Sequence, residues 1–261
     1  MKGFCLPAHA PLSLTVISDL QQTKQHLVSL LHKRSMHFTS LTRVLPVGLL
    51  LALLSTLNPV TAHPVRPKTP LPTTLAWERL PQTALQIGLW GYWELLNKQL
   101  LKPNALLTLI DLSKPSNEQR LFVIDPARKK ILLQTWVAHG SHSGTHIAKQ
   151  VSNRPCSNQS SAGFFLTKET YQGKNGYSLR LQGLQKGIND QAIARGIVIH
   201  GAHYVDPNSA QKTGWVGRSQ GCPAVPVAIH RQLIELIKED HCVFIFHPSY
   251  PTNASLPLMV P

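Results

Sequence analysis

This 261-residue chain predicts a mainly β domain with short connections. Three observations lead there. Runs rich in Leu, Ile, Val and Phe, each about one strand long, recur between residues 106 and 246. Turn-forming residues separate them closely, with no strand–helix alternation of the kind that builds a parallel α/β sheet. A single strongly amphipathic helix pattern follows directly on a Gly-Cys-Pro sequence.

The first segment speaks of compartment rather than fold. An apolar run from Val44 to Leu57 lies between Arg43 and the small-residue ending Val60-Thr61-Ala62. A basic start, about 7–15 apolar residues and an A-x-A-like end describe a secretory signal peptide. A membrane span needs about 20 apolar residues, so an uncleaved anchor or a buried helix ranks second. Residues 1–35 precede Met36, which opens a compact basic segment of its own, "MHFTSLTR", and is a candidate true start. Cleavage after Ala62 makes His63 the first residue of the exported form. It removes five basic residues (Lys2, Lys24, Lys33, Arg34, Arg43) and one acid (Asp19), so the charge falls from +14 to +10. Such a balance favours anionic polymers outside the cell. No clustered basic helix or aromatic-interleaved basic stripe argues for nucleic acid. Cys5 leaves with the leader, and Cys156, Cys222 and Cys242 remain. An odd count in an oxidising compartment predicts a Cys156–Cys242 pair beside a free Cys222.

Residues 63–74 carry four prolines and read as an extended linker. Residues 75–104 form a helical segment expected to pack on the domain that follows, its Leu75–Gln99 pattern split by Pro81. The domain itself spans 105–250, with a tail at 251–261. Leu106–Leu112 and Arg120–Asp125 read as strands, and "DPARKK" as the turn into a third, "ILLQTWVAH", making an antiparallel meander. The stretch from Gly140 to Phe165, rich in Ser, Gly and Asn, reads as irregular and as a functional surface. Gly196–His200 is a buried strand type. "PVAIHRQLIELIKED" is the best helix pattern, with Ile229, Leu233, Leu236 and Ile237 on one face, and "CVFIF" is a last strand.

The chemistry gathers in "IVIHGAHYVDPNSAQKTGWVGRSQGCPAVP". A thiol is a useful nucleophile as thiolate, and a histidine or a helix start nearby lowers its pKa. Cys222 lies just before the helix pattern. Gly221 permits close backbone approach, and Pro223 biases Cys222 to an extended conformation, so the N–H groups of Gly221 and Cys222 are candidates for an oxyanion hole. His200 closes a strand where loops converge and is the candidate base, with His203 in reserve. The bland alternatives are a packed cysteine and a capped surface histidine. His139, His142 and His146, with His200 and His203, also raise a zinc site, although H-E-x-x-H and Cys-x-x-Cys are absent.

"IVIHG", a loop and "GRSQGCPAVP" resemble the active-site signature of the L,D-transpeptidase (YkuD-type) catalytic domains, in the murein L,D-transpeptidase branch. "LLTLIDLSKPSNEQRLFVID", "VAHGSHSG", "SSAGFFLTKETYQGKNGYSLRLQGL" and "IARGIVIHGAHYV" extend the resemblance over roughly 105–246. It implies a YkuD-like β-sandwich or meander with a helix after the cysteine. Cys222 would be the nucleophile and His200 its base. Gly221 and Cys222 would donate to the oxyanion, and Ser219 would shape the turn. Gly201, His203 and Arg218 would face the substrate. The main family often carries histidine between Ser and Gly and arginine soon after the cysteine. Gln220 and Pro223-Ala224 stand there instead, and Arg218 is the nearest replacement cation. The implied activity is acyl transfer on peptidoglycan stem peptides through a cysteine thioester, without a cofactor. It would take place in the periplasm or at the cell wall, with the membrane met only during export. A zinc hydrolase and a non-catalytic wall-binding module remain as alternatives.

Overall fold

The computed structural model describes residues 77–251. The apolar run, Met36, Cys5, the proline-rich linker and the end of the tail lie outside them. Among the described residues no helix is long and apolar enough to cross a membrane.

A short 3-10 turn, Trp77–Arg79, leads to α1, Gln82–Asn97. Pro81 occupies the N-cap, where a missing N–H costs nothing, so the expected split falls at this boundary. Ala84, Leu85, Gly88, Gly91, Tyr92 and Leu95 make the buried stripe at helical spacing. At Gly91 the helix lies directly on the Phe164 ring, leaving no room for a side chain.

Eight strands follow: β1 Leu107–Asp111, β2 Leu121–Asp125, β3 Lys130–Thr135, β4 Gly163–Gly173, β5 Gly176–Gly183, β6 Val198–Gly201, β7 Ala224–Val225 and β8 Cys242–Phe246. Two helices interrupt them, α2 at Pro207–Thr213 and α3 at Val227–Ile237. The strands share one mixed sheet in the order β3-β2-β1-β8-β4-β5-β6-β7. The mainly β expectation holds, as do the antiparallel meander β1-β2-β3 and the helix after the cysteine. Two pairings are parallel, β1 with β8 and β6 with β7.

Alternation along the central strands divides the core between the two faces. Leu107, Leu109, Phe164 and Phe244 pack under α1. Ile110, Val243 and Ile245 join Leu233, Ile234 and Ile237 of α3 in the other cluster. Strand β8 is buried at all five positions because both its faces are covered, which explains its unbroken apolar sequence.

Two readings are corrected. Residues 163–165, expected to be irregular, begin the long strand β4, where Phe164 stacks on Phe244 with ring centroids 4.3 Å apart. Burial of the aromatic pair outweighs the local Ser and Gly bias. Cys242 does not pair with Cys156. It is a fully buried free thiol within the core under α1, and Cys222 is free as well.

Candidate active site

The site forms where β6 ends between two neighbours. His200 is in register with Ser178 of β5 on one side and Ala224 of β7 on the other. Ala224 follows Cys222 by two residues, so the β6–β7 pairing brings the turn that carries the cysteine alongside β6. The Cys222 Sγ lies 3.5 Å from the Gly196 carbonyl oxygen, to which the thiol donates. His200 and Cys222 therefore occupy adjoining segments, with the thiol bonded to backbone and not to the imidazole.

The turn is held from within. The Ser219 hydroxyl donates to the Cys222 carbonyl at 2.6 Å and accepts from the Gly221 N–H at 3.0 Å. The free Gly221 N–H expected from sequence is thus occupied. Among the described residues the Cys222 N–H has no hydrogen-bond acceptor, which leaves it available to an oxyanion. Gly221 has φ +122°, and a Cβ there would lie 2.7 Å from the Gln159 carbonyl oxygen. Only glycine fits, for reasons of both backbone and space. Strand β7 intervenes between the cysteine and α3, so the helix start follows the 219–222 turn at one remove.

His200 is buried, and its Nδ1 lies 2.9 Å from the Gly201 carbonyl oxygen. A carbonyl can only accept, so Nδ1 carries the proton and Nε2 keeps its lone pair. Burial lowers the His200 pKa, and the charges of His230 and Lys174 lower it further against the pull of the Gly201 carbonyl. Burial raises the Cys222 pKa, opposed by a Val198 backbone hydrogen bond and the charges of Arg195 and Lys174. Both shifts favour a neutral thiol beside a neutral imidazole.

The other candidates are more dispersed. A Cβ on Gly201 would meet the His230 ring of α3 at 2.7 Å, so this glycine allows α3 to close on β6. His203 is exposed in the following turn. Arg218 donates from Nη1 to the carbonyls of Ser141 (3.3 Å) and Gly144 (3.2 Å), bridging the loop expected to be a functional surface. His139 is buried on Arg120, His142 lies against the Ser157 carbonyl and His146 against the Gly214 carbonyl. Among the described residues no group of three or more His, Cys, Asp or Glu comes together as a metal set.

Three residues near the thiol were not singled out by sequence reasoning. Arg195 precedes β6, Lys174 sits at the β4–β5 turn, and Tyr204 follows β6. The Tyr204 phenol is pushed up to about 12, first by burial and then by Cys222. The Asn175-Gly176 dipeptide, a hairpin signal, was available to place Lys174.

A family model described as L,D-transpeptidase catalytic domain matches residues 77–246, most of the chain. The chain belongs to the L,D-transpeptidase catalytic domain family. The match takes in α1 as well as the sheet. No curated protein matches the chain. Solved structures similar to it include an L,D-transpeptidase from Mycobacterium smegmatis, 12% identical with a TM-score of 0.34, covering 55% of this chain and 59% of that one. A mutant of the helical cell shape determining protein from Campylobacter jejuni is 13% identical, with a TM-score of 0.38 and coverage of 65% and 57%. An L,D-transpeptidase from Stackebrandtia nassauensis is 16% identical, with a TM-score of 0.34 and coverage of 57% and 60%. The L,D-transpeptidase domain described here thus spans less than two thirds of the length of these neighbours.

Proposed function

We propose that this protein is an exported cysteine acyltransferase acting on peptidoglycan stem peptides, with Cys222 as nucleophile and His200 as base. The observation that carries the reading is the pairing of His200 with Ala224, which brings the Cys222 turn alongside β6 in a chain of the L,D-transpeptidase family. The His200 tautomer supports it, because Nε2 is the basic nitrogen. In the reaction the thiol leaves the Gly196 carbonyl, and His200 takes its proton as sulfur attacks the amide between an L-centre and a terminal D-residue. The oxyanion gathers on the Cys222 N–H. Collapse breaks the C–N bond, His200 returns the proton to the leaving amine, and a thioester remains. A second amine resolves it to a cross-link; water resolves it to a trimmed peptide. Gly201, His203 and Arg218 are candidates for further contacts to substrate. The apolar segment before Ala62 supports export to the periplasm or wall.

Intact-mass analysis after incubation with a tetrapeptide muropeptide tests the reading. The expected result is a covalent adduct that disappears in Cys222→Ala. His200→Ala should slow its formation about 10²–10⁴-fold, the usual cost of lost acid–base help. His203→Ala should cost much less. Turnover that survives Cys222→Ala would sink the proposal, and turnover abolished by chelator would favour the zinc alternative.

A further inference from the structure

Arg195 is half-buried just before β6. Its guanidinium makes four hydrogen bonds, all to one stretch of chain. Nη1 donates to the Ser161 hydroxyl at 2.5 Å and to the Ser152 carbonyl; Nη2 donates to the Gln159 carbonyl at 2.6 Å and to the Ser157 hydroxyl at 3.2 Å. Every acceptor is neutral, and among the described residues no carboxylate pairs with this arginine. A half-buried cation without an anion is costly, so a charge that forms only during reaction is its natural complement.

The same stretch supports the nucleophile turn. The Gln159 carbonyl that takes Nη2 is also the atom that a Cβ on Gly221 would strike, and Nη2 itself would lie 3.4 Å from that Cβ. On the other flank Gly140 bridges to Ser219, and the Gly140 N–H donates to Ser160. Arg195, the 152–161 loop and the 219–222 turn are therefore in one continuous contact.

We propose that Arg195 is a positioning residue for this site: it braces the 152–161 loop under the Gly221–Cys222 turn and sets a fixed positive charge beside it. The proposal rests on Cys222 being the nucleophile. It assigns to a residue upstream of the histidine the positive charge that Pro223-Ala224 cannot supply. Arg195 also favours the Cys222 thiolate more strongly than Lys174 does, and its own pKa is lowered by burial, with Cys222 pulling the other way. The other titratable groups coupled to the thiol are Lys174 from the β4–β5 turn and Tyr204 after β6; Lys174 also acts on His200 of β6, as does His230 of α3.

The test compares Arg195→Gln and Arg195→Lys in the whole protein by two readings. One is the pH midpoint of Cys222 alkylation by iodoacetamide, which needs no substrate. The other is the rate of acylation by muropeptide. Arg195→Gln is expected to move the midpoint upward and to slow acylation about 10²-fold, the order that misplacement by about 1 Å costs. Arg195→Lys keeps the charge without the fork, so it should restore much of the midpoint and little of the rate. An unchanged midpoint in Arg195→Gln overturns the proposal. A shifted midpoint in a protein that never acylates supports the placement of the charge and points the failure at the proposed function. If neither variant folds, Ser157→Ala and Ser161→Ala loosen the guanidinium while keeping its charge. A slower rate at an unchanged midpoint then supports the brace, and parental rates overturn it.

Discussion

At Cys222 and Cys242 the same side chain meets two environments. Cys242 is enclosed on every side, and burial alone pushes its thiol far up. Cys222 is half-buried, raised by burial but drawn back by Arg195 and Lys174. Iodoacetamide at pH 8 should therefore label Cys222 in the folded protein and reach Cys242 only in denaturant. Peptide mapping that finds Cys242 labelled under native conditions would contradict this packing. Among these residues, His200 and Cys222 were legible as candidates, because a polar residue ends an apolar strand and a cysteine sits between glycine and proline, and the family resemblance singled them out from blander readings. Arg195 was not. Its four acceptors lie 34–43 residues away in a loop without periodicity, and only the folded chain brings them together.

Among the elements, the turn at 219–222 depends most on one residue. Gly221→Ala meets both a left-handed φ and the Gln159 carbonyl, whereas Gly187→Ala meets a φ of +76° in open space. Strain of this kind costs about 1–3 kcal/mol. Both variants should lose stability on that scale in urea unfolding, but only Gly221→Ala should lose more than about tenfold in acylation, through displacement of Cys222, the proposed nucleophile. Equal activity losses would show that the turn has no special standing. Strands β1, β2, β3, β6 and β8 and helix α3 were readable from apolar runs and periodicity, whereas β4, β5 and β7 were not. Helix α2 was not, although its caps were in plain view. Asp206 accepts from the N–H groups of Asn208 and Ser209, Pro207 takes the first turn, and Gly214 ends the helix in the left-handed region. Only Ala210 of this helix is buried, so no apolar stripe announced it.

On the scale of the whole molecule, two buried histidines make the fold sensitive to acid. The His139 Nδ1 lies 2.8 Å from an Arg120 guanidinium nitrogen, and the His241 Nδ1 accepts from the Leu106 N–H at 2.6 Å. Both bonds need an unprotonated Nδ1, and burial, the larger cause, holds both pKa values down to about 4. The unfolded chain takes up these protons near pH 6.5 and the native one near 4, so stability should fall as pH drops through that interval. Thermal unfolding between pH 7.5 and 4.5 measures this. His241→Gln, whose amide oxygen can take the same bond, should flatten the slope; a melting temperature indifferent to pH would refute the account. The position of β8 has a different consequence, in the order of assembly. It joins β3-β2-β1 to β4-β5-β6-β7, yet it is the last strand along the chain. Until residues 242–246 arrive, two half-sheets face each other with bare edges, each a template for pairing with another chain. Cys222 thus precedes in the chain the strand that closes the sheet, and the edges on either side of the gap stay unpaired until that strand is in place.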